Sequence, residues 1–338
     1  MVKFRQARYC NLKLILIFLV VYGHWIEPGI GSSKIIYIQY WWIYVLHMPL
    51  FTFLSGLFLR EEKDCIRQVK RLLPLYCILQ LPMSFFSKGN FDILEPFWHL
   101  WYLLSFCTWA ALGWLGLWLR KKWHVSPLLI LAVTILASTF GGYLSFLDRT
   151  LSGSRTIVFF PFFWLGLICR QDIPWQKYRM WGVAALGVAV SVALLWGSRI
   201  SADFLYHAKP YGAMEGGARL RLLCYILSGA MGFFLLTMIP DKRLPCTKVG
   251  ADTMPAYLLH APIVGFFRKI EIPWIVCMLL SGGLIYIIYK AMQWYEPLYG
   301  VIESLNCRNT TVKERRDRHW PDFKRFMSNM ARRCIGFF

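Results

Sequence analysis

The amino-acid sequence predicts an all-α fold, a polytopic membrane bundle of about ten transmembrane helices with both termini cytoplasmic. Composition is the first reason. Of 338 residues, 57% are hydrophobic, 17% aromatic and only 17% charged, with 16 tryptophans, which is too apolar for an ordinary soluble domain. The second reason is a series of apolar windows of the length that crosses a hydrocarbon core of about 30 Å. They fall at 12–30, 40–59, 69–86, 98–119, 126–146, 156–169, 181–197, 220–239, 253–268 and 272–291. The third is the placement of Lys and Arg, which cytoplasmic loops carry in excess. Alternate segments hold four at the start (Lys3, Arg5, Arg8, Lys13), five from Arg60 to Arg71, three from Arg120 to Lys122, three from Arg170 to Arg179, three from Lys242 to Lys248 and ten from Lys290 onward, most of the 38 in the chain. The net charge of +20 therefore reads as topology and contact with anionic membrane lipid. No nucleic-acid partner is expected, because no basic motif is interleaved with exposed aromatics.

The first window lacks a small-residue cleavage site and runs on into WIEPGI, so it reads as a retained helix. The one composition boundary divides a membrane domain at 1–300 from a basic cytoplasmic tail at 301–338. Cys10, Cys77, Cys107, Cys169, Cys224 and Cys277 fall in or beside spans, where cysteine acts as a small apolar residue. No CxxC or Cys/His ligand spacing appears, so neither a metal nor a bound cofactor is expected. There is no Walker sequence and no GxGxxG.

His24 is the most informative residue. It closes the run LKLILIFLVVYGHW, whose other ionisable side chain is Lys13, and an ionisable group in a span marks a functional site. The two are eleven residues apart, which puts them on one helical face about 16 Å apart along the axis. The competing account is a lysine snorkelling to a headgroup and a satisfied histidine at a helix end. Glu27, one turn beyond His24, is placed to orient the imidazole. His47, in YVLHMPLFTFLSGLFLR, falls at nearly the same depth as His24, so the two imidazoles can meet across adjacent helices. His99 opens HLWYLLSF, where Trp101 and Tyr102 follow it, and His260 lies in AYLLHAPIV. Four such histidines in a chain with seven point to a shared polar cavity for substrate. Arg155 introduces RTIVFFPFFWLGLICR, and Arg219 and Arg221 introduce RLRLLCYILSG. Each is a candidate to hold an anionic group of a substrate or to anchor at headgroup level. The long connection SRISADFLYHAKPYGAMEGGA, with Asp203, His207, Lys209 and Glu215, reads as a binding loop.

In order along the chain, NLKLILIFLVVYGHW, HMPLFTFLSGLFL, HLWYLLS and AYLLHAPIV resemble the integral-membrane acyltransferases called acyltransferase family three, over roughly residues 9–290. A cation, ten residues and a histidine on the first helix is the most specific element. Lysine at that position, as in Lys13, is similar to the branch of fucose 4-O-acetylases. The family carries an acid three residues before the cation, where this chain has Cys10, and a glycine after it, where it has Leu14. The resemblance implies transfer of an acyl group, usually acetyl from acetyl-CoA, to a hydroxyl of a cell-envelope carbohydrate or glycolipid, in a bacterial plasma membrane. It implies His24 as base or acyl carrier and Lys13 on the anionic coenzyme or on developing charge. The rival class is a multi-pass secondary transporter, which also uses buried His and Lys and Pro-broken helices; no inverted repeat relates the halves of this chain.

Overall fold

The computed structural model describes residues 2–89, 91–169, 171–212 and 216–294, and these form helices with no strand among them. The long helices are α1 (Val2–Ile26), α2 (Lys34–Leu57), α3 (Glu62–Lys88), α4 (Trp101–Trp123), α5 (Pro127–Gly141), α6 (Gly153–Ile168) and α7 (Arg179–Trp196). A four-residue α8 (Ala202–Leu205) then precedes α9 (Gly217–Met238). A five-residue α10 (Thr247–Ala251) precedes α11 (Met254–Phe266) and α12 (Trp274–Trp294). Local chemistry accounts for the ends. The Ser33 hydroxyl caps α2 by accepting from the Ile36 amide at 3.4 Å. Glu61 and Asp64 form a reciprocal capping box at the start of α3, which satisfies two donors the first turn leaves unpaired. Gly89, in the left-handed region at φ 72°, ends that helix, a conformation that costs glycine little.

Each of the ten apolar windows falls on a helix, yet among the described residues six helical segments are long and apolar enough to cross a membrane: Ala7–Gly29, Trp98–Trp123, Thr150–Ile168, Trp175–Arg199, Gly217–Met238 and Trp274–Trp294. Two others, Pro127–Gly141 and Met254–Phe266, are apolar but short. The predicted windows at 40–59 and 69–86 do not qualify. α2 carries three tyrosines, two tryptophans and His47 among its apolar residues. The first three turns of α3 are charged with Glu62, Lys63, Asp64, Arg67, Lys70 and Arg71. Glu215, Arg170 and the tail at 301–338 lie outside the described residues. The outward faces suit lipid: Met180, Trp181, Leu194 and Leu195 on α7 and Leu279 and Ile287 on α12 are all more than 60% exposed, apolar surface of a kind water does not tolerate in large patches.

α1 sits at the centre, against α2, α10, α11 and α12, while α2 also packs on α6 and α9. The first half of α1 is bolted to the connection after α9. Asn11 donates to the carbonyls of Pro240 (3.2 Å) and Lys242 (3.1 Å) and accepts from the Thr247 hydroxyl at 2.6 Å. Arg8, only 3% exposed, stands 3.7 Å from Asp241 and donates to the Leu236 carbonyl. A very close helix crossing joins α2 to α6. A Cβ added at Gly56 would lie 2.0 Å from the Phe163 carbonyl oxygen, and one at Gly166 would lie 2.0 Å from that of Phe53. Two backbones meet here without side chains between them, as small residues permit in membrane bundles.

Candidate active site

Seven segments converge on a cavity of about 50 Å³ near the end of α1, room for roughly four waters or a group of similar size. Its walls are Val20 and His24 of α1, Tyr44, His47 and Met48 of α2, Trp98 and His99 ahead of α4, and Trp101 of α4. Arg155 and Phe159 of α6, Leu205 of α8, Tyr206 after it and Tyr257 of α11 complete them. The structure thus brings His24, His47, His99, Trp101 and Arg155, widely separated in sequence, to one enclosure.

His24 is held on three sides. Its ring meets Trp98 edge-on at 4.6 Å and stacks on His260 at 5.3 Å. Nδ1 faces Glu27 Oε2 at 3.6 Å. Glu27 is itself engaged: its Oε1 accepts from the Tyr206 hydroxyl at 3.0 Å and pairs with Arg268 at 3.3 Å. The carboxylate therefore lies on the Nδ1 side of the imidazole, which leaves Nε2 for a reactant. Trp98 adopts φ 24°, a conformation bulky residues avoid and one that persists only where packing over-determines it; Arg268 covers its other surface at 5.3 Å.

Two of the other histidines, His47 and His260, are fixed in definite tautomers. His47 Nδ1 lies 2.6 Å from the Ile43 carbonyl oxygen and His260 Nδ1 lies 2.9 Å from that of Ala256. A carbonyl only accepts, so Nδ1 carries the hydrogen in both and Nε2 is the acceptor. His260, with no exposed surface, packs behind His24 and edge-on to His99 at 5.5 Å. Tyr257 donates from its hydroxyl to the His99 carbonyl and stands between these rings and Tyr102, whose own hydroxyl pairs with Ser55 at 2.6 Å. Tyr102 and His260 therefore back the cavity without lining it.

Three predicted positions lie elsewhere. Lys13 is in the lower half of α1, where it donates to the Ala251 carbonyl at 3.1 Å. Arg219 is exposed and covers the Trp196 ring at 4.1 Å. Arg221 is 1% exposed and sits behind Phe159, donating to His207 Nδ1 at 2.6 Å and to the Tyr211 hydroxyl at 3.3 Å. The described part of the predicted binding loop folds inward instead of projecting: His207 is buried with φ 51° and Tyr206 enters the cavity, while Asp203 and Lys209 stay exposed. Among the described residues, no group of three or more His, Cys, Asp or Glu is arranged to hold a metal ion.

Sequence reasoning passed over Trp98, Tyr44, Tyr206, Tyr257 and Arg268. Tyr44 and Tyr257 each precede a named histidine by three residues, the spacing that shares a helix face, so that signal was present. Tyr206 and Arg268 lie in connections, where no periodicity reports orientation.

A helical bundle with lipid-suited outer faces, enclosing a histidine beside a carboxylate, defines a multi-pass membrane protein with a polar cavity at the end of its first helix. Residues 10–292 match the family model described as acyltransferase domain, acyltransferase family three; the chain belongs to that family and is an acyltransferase. No curated protein and no solved structure matches it. With an imidazole base at His24, the expected outcome of Glu27→Gln is a kcat lowered by about 10²-fold with KM little changed, because the amide keeps the shape but removes the negative charge beside the ring. Steady-state kinetics on the detergent-purified variant checks this, and an unaltered kcat would confine Glu27 to holding Tyr206 and Arg268.

Proposed function

We propose that the protein moves an acyl group, acetyl from acetyl-CoA, to a hydroxyl of a cell-envelope carbohydrate or glycolipid in a bacterial plasma membrane, with His24 as general base. The observation that carries this reading is the placement of His24 on the cavity wall with Glu27 on its Nδ1 side. A sugar hydroxyl is far too weakly acidic to attack a thioester unaided, and an imidazole is the side chain suited to accept its proton near neutral pH. His24 Nε2 takes the proton as the hydroxyl oxygen bonds to the thioester carbonyl carbon. The tetrahedral intermediate then expels the coenzyme thiolate, which recovers the proton from the imidazolium, and Glu27 stabilises the cation between the two transfers. In the acyl-carrier variant of this chemistry, the imidazole nitrogen attacks first and the sugar displaces it. No cofactor stays bound; acetyl-CoA is a substrate.

Lys13, about 16 Å from His24 along α1, attracts the anionic coenzyme at the other end of the helix. With both termini cytoplasmic, as the Lys and Arg distribution favours, the donor meets Lys13 from inside while the acceptor reaches His24 from outside. Membership of an acyltransferase family weighs against the transporter alternative.

Membranes supplied with radiolabelled acetyl-CoA and an envelope-glycan fraction test the reading. The expected result is base-labile ester label on glycan with matching release of free thiol. Thiol release without glycan label would overturn the carbohydrate acceptor, and absence of thiol release would overturn acetyl-CoA as donor.

A further inference from the structure

We propose that Arg155, where it lines the cavity near the start of α6, is an anion-binding subsite, and that the acceptor carries a carboxylate or phosphate that docks on it. The local backbone is unusual. Leu151 and Ser152 are consecutive left-handed residues, at φ 50° and 56°, and non-glycine residues persist in that region only where the surroundings hold them. α6 then begins with no side-chain cap and no acid in its first turn.

Arg155 is the third residue of this 16-residue helix. A helical side chain leans toward the N-terminus of its helix, so the guanidinium lies over the first turn. It adds positive charge to the positive end of the helix dipole, where an acid would be stabilising. Its Nε donates to the Tyr206 carbonyl at 3.0 Å and its plane covers the Trp101 ring at 4.8 Å. Among the described residues it makes no ion pair, and its two terminal nitrogens make no hydrogen bond. Asp148, the nearest acid in sequence, holds the Thr150 amide at 2.7 Å with Oδ1. Behind Phe159, Arg221 is buried against His207 and likewise forms no ion pair among the described residues. Among the described residues, the carboxylate beside the cavity is Glu27, and it is taken up by Tyr206 and Arg268. A guanidinium on the wall of a cavity of about 50 Å³, with no counter-charge among the described residues, matches a planar carboxylate or a phosphate.

Two sources share that chemistry, the acceptor and the phosphates of the coenzyme. The acceptor is favoured because Arg155 shares its cavity with His24, which deprotonates the acceptor hydroxyl, whereas Lys13 lies at the far end of α1. This choice of source rests on the acyltransferase reading; the anion site does not.

The site is tested on the detergent-purified full chain by thermal unfolding with glucuronate, inorganic phosphate or glucose at matched ionic strength. The wild type should rise by about 3 °C at tenfold excess over Kd with either anion and not with glucose. Arg155→Gln should lose the rise, and Arg155→Lys should keep part of it. An equal rise in Arg155→Gln would reduce the effect to adventitious ion binding by a cationic protein and overturn the site. The acceptor is tested by comparing a uronate-rich glycan with the same glycan after reduction of its carboxyls to alcohols. Arg155→Gln should raise KM for the acidic glycan tenfold or more and leave that for acetyl-CoA unchanged. A raised KM for acetyl-CoA alone would overturn the acceptor assignment and give the anion to the donor. Anion-dependent stabilisation in a protein that transfers no acyl group would uphold the site and refute the acyltransferase mechanism instead.

Discussion

His24→Ala is expected to lower acyl transfer to glycan by about 10²–10⁴-fold while the protein still inserts and purifies as one species. The side chain is part-exposed to the cavity, its backbone lies in the last turn of α1, and its neighbours Trp98 and His260 are held by their own elements. Removing the ring enlarges the cavity without leaving a buried charge, since Glu27 keeps Arg268 and Tyr206. The loss should fall on kcat, because a base acts on the transition state more than on bound substrate. A single-turnover experiment with radiolabelled acetyl-CoA and no acceptor separates the two roles proposed for the ring. Protein-bound label in the wild type and none in the variant identifies an acyl carrier; no label in either identifies a base. Full glycan acetylation by a stably inserted His24→Ala would remove this residue from the mechanism.

Gly56→Ala and Gly166→Ala are each expected to destabilise the fold by about 3 kcal/mol or more, at the upper end of overpacking costs. The obstruction at 2.0 Å is backbone carbonyl on both sides, so no side chain can turn away. α2 and α6 run in the same direction through this crossing. His47 lies nine residues before Gly56, about 14 Å up the helix, and Arg155 occupies the equivalent end of α6. Widening the crossing therefore moves two walls of the cavity apart. The yield of monodisperse protein and its unfolding temperature in detergent report the effect; a Gly166→Ala protein as stable as wild type would show that the two helices separate freely here. The comparison position is Gly187, where an added Cβ meets nothing within 4 Å and Gly187→Ala should be neutral or slightly stabilising.

Much of this molecule is visible in its chain. The helices announce themselves because lipid and neighbouring helices both demand apolar side chains over a fixed length, and all ten windows do fall on helices. Their number as membrane crossings was less legible, because α2 and α3 mix apolar residues with aromatics, His47 and charges. The named histidines were found because an ionisable ring in an apolar segment is conspicuous at a single position.

What the sequence by itself determined, then, is the helical membrane class, the family, and the presence of His24 at the end of the first helix with Glu27 one turn beyond it. Those properties live in local composition and spacing. Only the tertiary structure decided that Arg155 enters the cavity while Arg219 stays exposed over Trp196, that His260 supports His24 from behind, and that the connection before α9 turns inward to deliver Tyr206. Helical periodicity specifies which residues share a face, but the partner of that face is chosen by the packing of other helices. A connection has no period at all, so its burial depends on contacts such as Arg221 with His207 that form when distant segments meet.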